Sequence, residues 1–168
     1  DPADPVTIGA MVGPEAFTEV RYLAHARQLQ ALDLMPQLAR EFADIFGRDS
    51  GGLIRPYRMD DAETVVIALG SVLGTIKDTV DELREAGEKI GVLGITSFRP
   101  FPIAAIREAT AHARRIVVLE KCFAVGIGGI VTRDVRSAVQ SRPQPVHAVI
   151  AGLGGRAITK ASLHKMLC

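Results

Sequence analysis

A three-layer α/β/α fold, with helices on both faces of a five-stranded and mostly parallel sheet, is the architecture this sequence predicts. Three features lead to it. Short β-branched apolar runs recur along the second half of the chain, stretches with helical spacing alternate with them, and glycine or charge bounds each run. A strand buried on both faces reads as a continuous apolar run rather than an alternating one, which is the pattern seen here.

The first element is helical. Residues 1–14 carry three prolines and two glycines and read as an extended entry segment. From Pro14 to Phe46 the spacing turns helical: Leu23, Ala26, Leu29 and Leu32 to Met35 share a face that Leu38, Phe42 and Ile45 continue. Pro36 removes a backbone donor inside this stretch, so it predicts either two helices or one kinked helix. Gly47 ends it and Gly51-Gly52 forms a flexible joint. Residues 1–51 are thus an entry segment and helical linker, and residues 52–168 are the α/β domain.

Within that domain, Leu53 to Tyr57 predicts a short strand, which Pro56 confines to an edge. Thr64 to Leu69 predicts the first core strand. Gly70-Ser71 closes it, and a helix follows through Val72, Ile76, Val80 and Leu83 to Gly87. Ile90 to Ile95 is the second core strand, and Arg99-Pro100-Phe101-Pro102 leads into a helix through Ile106 and Ala109. Ile116 to Leu119 is the third; the turn Gly126 to Gly129 opens a helix ending near Gln140. Val146 to Ala151 is the last strand, and Thr159 starts a closing helix.

Composition narrows the functions open to such a domain. The 168 residues are 48% hydrophobic, enough for one core but not two comfortable ones. Twenty basic and 19 acidic residues leave a formal charge of +1, so charge draws the chain neither to nucleic acid nor to an anionic membrane. Two cysteines, Cys122 and Cys168, make no disulfide framework and point to a reducing cytoplasm. No apolar run approaches the ~18–20 residues of a membrane span, and the start lacks the pattern of a signal peptide. The opening Asp1-Pro2-Ala3-Asp4-Pro5, without methionine, suggests a piece excised from a larger polypeptide.

Few motifs suggest chemistry. Ser71 is a good helix N-cap, and capping alone explains it; the second reading is a helix start that receives a phosphate or carboxylate. Gly70 to Gly74 lacks the lysine of a P-loop. Gly126-Ile127-Gly128-Gly129 would let backbone approach a ligand or another chain, though a tight strand-to-helix connection is the simpler use. Arg99, in a loop fixed by Pro100 and Pro102, could clamp an anion or pair with an acidic neighbouring chain, and the latter is preferred. Cys122 follows Glu120-Lys121 without a nearby histidine, so a passive role fits it best. His25, His112, His147 and His164 lack metal-ligand spacing, and two distant cysteines supply no local zinc or iron–sulfur motif.

Together these segments resemble the α subunit of the 2-oxoacid:ferredoxin oxidoreductases, pyruvate:ferredoxin oxidoreductase in particular. The likeness rests on Gly52-Leu53-Ile54-Arg55-Pro56-Tyr57-Arg58, Val66 to Thr75, Arg99-Pro100-Phe101-Pro102, Gly128-Gly129 with the Thr132 to Val139 stretch, and the tail Ile150 to Thr159. Val6-Thr7-Ile8-Gly9 and the helix before Gly52 resemble the region that precedes this domain there. Each motif is modest, but their order covers nearly the whole chain.

The resemblance implies a transketolase-C-terminal-like domain with sheet order 1-3-2-4-5 and an antiparallel first strand. It also implies a parent enzyme that oxidatively decarboxylates a 2-oxoacid, pyruvate foremost, using thiamine diphosphate with magnesium. Electrons would pass through iron–sulfur clusters to ferredoxin, and coenzyme A would be acylated. This chain has no acidic thiamine-activating segment, no G-D-G motif and no cluster cysteines, so it is expected to bind none of these groups and to be inert alone. Its partners would be the thiamine-binding and ferredoxin-type domains or subunits, in a dimer or larger assembly.

In that strand order the connections after strands 2 and 4 leave on opposite faces, the kind of place where open α/β sheets bind ligands. Ser71, Thr75, Arg99 and Lys121, with Gly126 and Gly128, are the candidate lining of an interdomain or anion-binding crevice there. Two other functions compete: a free-standing nucleotide or small-anion module on a flavodoxin-like sheet, and the C-terminal domain of a 2-oxoacid dehydrogenase or transketolase-type enzyme.

Overall fold

The computed structural model describes residues 2–5 and 11–167; the Val6 to Gly9 segment and Cys168 singled out above lie outside the described residues. It begins with a long helix, α1 (Pro14–Phe46), of 33 residues. The helix runs unbroken through Pro36, so neither a split nor a second helix forms. Proline costs one backbone bond at that point, and the remaining turns of a helix this long carry on without it. Gly47 ends α1 in the left-handed conformation, its amide donating to the Ala43 carbonyl at 2.8 Å.

The sheet follows as expected: β1 (Ile54–Tyr57), β2 (Thr64–Leu69), β3 (Ile90–Ile95), β4 (Arg115–Glu120) and β5 (Val146–Ile150). Its order is β1-β3-β2-β4-β5, with β1 antiparallel to β3 and the other pairs parallel. Pro56 lies on β1, where only one side needs ladder bonds. The interleaved helices are α2 (Val72–Glu85), α3 (Ile103–Ala109), α4 (Ile130–Val139) and α5 (Lys160–Leu167). A short 3-10 turn, Leu153–Gly155, was not foreseen from the sequence. Thr159 begins α5 as expected, exchanging bonds with Ser162 in a capping arrangement.

Strand alternation divides the core in two. Val65, Ile67, Leu93, Ile116 and Val118 point to one face, where Ile106 of α3 and Val131 and Val135 of α4 cover them. Val66, Ala68, Val92, Val117 and Leu119 point to the other, covered by Ile76 and Val80 of α2 and by Leu163 of α5. This is the three-layer arrangement predicted by the apolar runs.

The two ends of the sheet differ chemically. Along the amino ends of the parallel strands Glu63 pairs with both Lys89 and Arg114, and Asp61 pairs with Arg84, so charge there is neutralised within the chain. The carboxyl ends carry exposed apolar side chains: Leu69 at the end of β2, Phe98 after β3, Phe123, Val125 and Ile127 after β4, and Leu153 after β5. Val125 is 90% exposed and Ile127 60%.

Candidate functional site

β2 and β4 are hydrogen-bonded neighbours, and the helices that follow them lie on opposite faces, α2 on one and α4 on the other. The sheet therefore has its switch point between the ends of β2 and β4. A cleft of about 210 Å³ opens there, lined by Leu69, Val72, Leu119, Glu120, Lys121, Cys122 and Val131. Its walls are mainly apolar, and Lys121 contributes the cation.

Glu120 organises this site, and sequence reading missed it. Its carboxylate accepts bonds from the Val131 amide at 2.8 Å, the Thr132 amide at 3.0 Å and the Thr132 hydroxyl at 2.5 Å. A side chain only 4% exposed thus satisfies the otherwise unpaired donors at the start of α4 and places negative charge at its positive end. Gly129 is needed for this: a methyl group there would fall on Oε1 of Glu120. The glycine turn thus makes a tight strand-to-helix connection. Ala124 and Gly128 pair across it, with the Gly128 amide donating to the Ala124 carbonyl at 2.8 Å. The one available signal was a glutamate ending an apolar strand, where such a carboxylate must find donors.

The six candidate residues sit around the carboxyl end but are not joined. Among the described residues no side-chain hydrogen bond or ion pair links any two of them. Ser71 and Thr75 open α2. The expected Ser71 cap is absent: Ser71 has helical backbone angles and makes no side-chain cap bond, so its hydroxyl is free of that role. Backbone bonds replace it, from the Leu73 amide to Gly70 and from the Gly74 amide to Ser71. A side-chain cap requires extended angles that Ser71 does not have.

Arg99 is engaged within the chain. Its guanidinium donates to Asp134 of α4 at 2.7 Å and to the Phe98 carbonyl at 2.7 Å, and stacks 4.1 Å from the Phe98 ring. Within the chain, its acidic partner is Asp134 of α4. Lys121 lines the cleft, Gly126 and Gly128 adopt positive φ in the turn after β4, and Cys122 is an exposed free thiol.

Cofactor chemistry finds no donor set here. Among the described residues no three His, Cys, Asp or Glu side chains gather to hold a metal, and one cysteine cannot carry a cluster. The residues present do not fit thiamine diphosphate with its magnesium or an iron–sulfur cluster. No described helix is long and apolar enough to cross a membrane.

Residues 62–163, most of the α/β domain, match the model of the pyruvate:ferredoxin oxidoreductase core domain II. The chain belongs to that family. Family members similar to it include pyruvate synthase subunit PorA of Methanosarcina barkeri, 44% identical over 99% of this chain and 42% of that protein. PorA of Methanothermobacter thermautotrophicus is 34% identical over 99% of this chain and 43% of its own length. Ketoisovalerate oxidoreductase subunit VorA of Pyrococcus abyssi is 35% identical over 93% and 40%. The chain therefore spans about two fifths of the curated relatives it matches.

The fold recurs in a solved 2-oxoglutarate:ferredoxin oxidoreductase from Magnetococcus marinus with 2-oxoglutarate, coenzyme A and succinyl-CoA bound. The TM-score is 0.50 at 16% identity, over 76% of this chain and 20% of that one. Family and fold are those the sequence motifs implied.

Proposed function

We propose that this chain is the assembly domain of a cytoplasmic 2-oxoacid:ferredoxin oxidoreductase α subunit, and that the parent enzyme acts on pyruvate. The carrying observation is the family match over residues 62–163, and the PorA relatives favour pyruvate over other 2-oxoacids. In this reading the parent converts the 2-oxoacid and coenzyme A to acyl-coenzyme A and carbon dioxide, passing two electrons to ferredoxin. Thiamine diphosphate, magnesium and the iron–sulfur clusters reside in other domains or subunits.

The domain's own contribution is a surface. Exposed Leu69, Phe98, Phe123, Val125, Ile127 and Leu153 at the carboxyl ends of the strands support an interaction face there, since large contiguous apolar surface is rare on free-standing domains. Ser71, Thr75, Lys121 and the Gly126 and Gly128 backbone then face a neighbouring domain or subunit across the switch-point crevice, while Arg99 holds the β3 connection against α4.

The test uses the complete enzyme. Replacing Ser71, Thr75, Arg99 and Lys121 with alanine together should weaken subunit assembly, read by native mass spectrometry, or raise the Kd for coenzyme A. Wild-type assembly and affinity would remove the crevice from the proposal. The assembly role itself fails if the isolated 168-residue chain reduces ferredoxin with pyruvate unaided.

A further inference from the structure

Helix α1 leaves much of its apolar side-chain surface exposed. Its half-buried residues include Leu32, Pro36, Ala39 and Ala43 in the second half, and none of its 33 residues is fully buried. Pro36, Ala39 and Ala43 form a groove of about 430 Å³ with Leu53, Ile54 and Ala105. At 100° per residue, the main apolar stripe of α1 is centred about 120° from Pro36, Ala39 and Ala43, with the half-buried Ala31, Met35 and Phe42 between the two. That stripe runs from Phe17 through Val20, Leu34 and Leu38 to Ile45, all exposed, with Ala24 and Ala31 between. The spacing alternates three and four, the pattern of a helix packed along its length against another surface, and only Arg27 and Glu41 interrupt it.

We propose that this outward stripe is covered by the remainder of the same polypeptide, the part whose counterpart makes up more than half of each matched relative. This rests on the reading that the chain is one portion of a subunit of that length. Two further observations support it. First, residues 14–30 of α1 are almost wholly exposed, and a helix of that length without packing is marginal in water, so the first half needs a partner to persist. A covalently continuous partner offers the highest effective concentration.

Second, α1 joins the domain at the apolar end of the sheet. The Thr96 and Ser97 amides, just past β3, both donate to the Leu53 carbonyl at 3.0 Å, which pins the end of the α1 connection to the carboxyl edge. The connection that follows α1 therefore lies at the end of the sheet that carries the exposed Phe98, Val125 and Ile127. A second copy of the chain is the competing occupant. A parallel pair would set Arg27 against Arg27 and Glu41 against Glu41 in the seam, which like charges oppose; an antiparallel pair would not.

Hydrogen–deuterium exchange on the full-length subunit and on the 168-residue chain decides between them. Amides between Phe17 and Ile45 should exchange at least about tenfold more slowly in the full-length subunit, at every protein concentration. The double variant Leu34→Asp with Leu38→Asp in the full-length subunit should abolish that difference while amides of β2 to β4 stay protected, which shows the domain still folded. Equal exchange in both chains overturns the proposal. Protection that appears only at high concentration assigns the stripe to a second copy, and protection that appears only on adding another subunit assigns it elsewhere; both overturn it. Exchange needs no turnover, so a failure of the enzymatic assignment would show separately, as absent activity.

Discussion

At the scale of single residues, Glu120 and Gly129 form one device. A buried carboxylate with three donors and no room beside it is sensitive to small changes. Glu120→Gln keeps the shape but removes the charge and turns part of the amide against the α4 donors, so it should cost about 1–3 kcal/mol. Gly129→Ala forces the carboxylate out of place and should cost about as much. Because both act on one contact, the double variant should lose less than the sum. Urea denaturation of the four proteins measures this, and full additivity would show that Glu120 is not the cap. Arg99→Ala presents the contrast. Its pair with Asp134 is half exposed, so stability should fall by less than about 1 kcal/mol. A large effect of Arg99→Ala on assembly with a small one on folding would therefore report an interface.

At the scale of elements, α2 is the hub of one face. Tyr57 of β1 donates to Asp81 at 2.7 Å, and Arg58 reaches the same carboxylate at 3.1 Å. The Tyr57 hydroxyl first, and Arg58 after it, hold Asp81 below the usual carboxylate range. One position on, Glu82 binds His164 at 2.8 Å and also Lys160, both on α5, and these two in that order hold it low as well. Carboxylates depressed in the fold take up protons more readily when unfolded. Their contribution is therefore complete at neutral pH and is lost as pH falls below about 4. Asp81→Asn and Glu82→Gln should flatten the acid limb of a plot of urea midpoint against pH between about 5 and 3. An unchanged slope would mean these pairs do not couple α2 to β1 and α5.

For the whole molecule, stability resides in the two cores flanking the sheet. Ile67 and Ile76 are fully buried on opposite faces, and truncating either to alanine should cost about 2–5 kcal/mol. The two losses should nearly add, since the residues share no core cluster. In the 168-residue chain Leu38→Asp on α1 should change stability by less than about 0.5 kcal/mol, because that side chain is half exposed and touches no core. Chemical denaturation distinguishes a domain with its own core from one that relies on α1.

The elements were legible in the chain itself because local periodicity encodes them. Thr64 to Leu69 and Ile90 to Ile95 are strands with the bounds expected, and α1 begins and ends where its spacing does. The sheet order was reached through family likeness, since spacing along a chain does not say which strands adjoin. The site was legible only in outline. Lys121 and the glycine turn fell where the switch point lies, but the Ser71 cap did not form, and Arg99 pairs with Asp134 of its own chain. Those outcomes depend on partners remote in sequence: Asp134 lies 35 positions from Arg99, and the α4 amides lie 11 and 12 positions beyond Glu120. A side chain's type states what bonds it can make. Which group satisfies it, and which face of α1 meets the domain, is decided only when folding brings distant segments within hydrogen-bond reach.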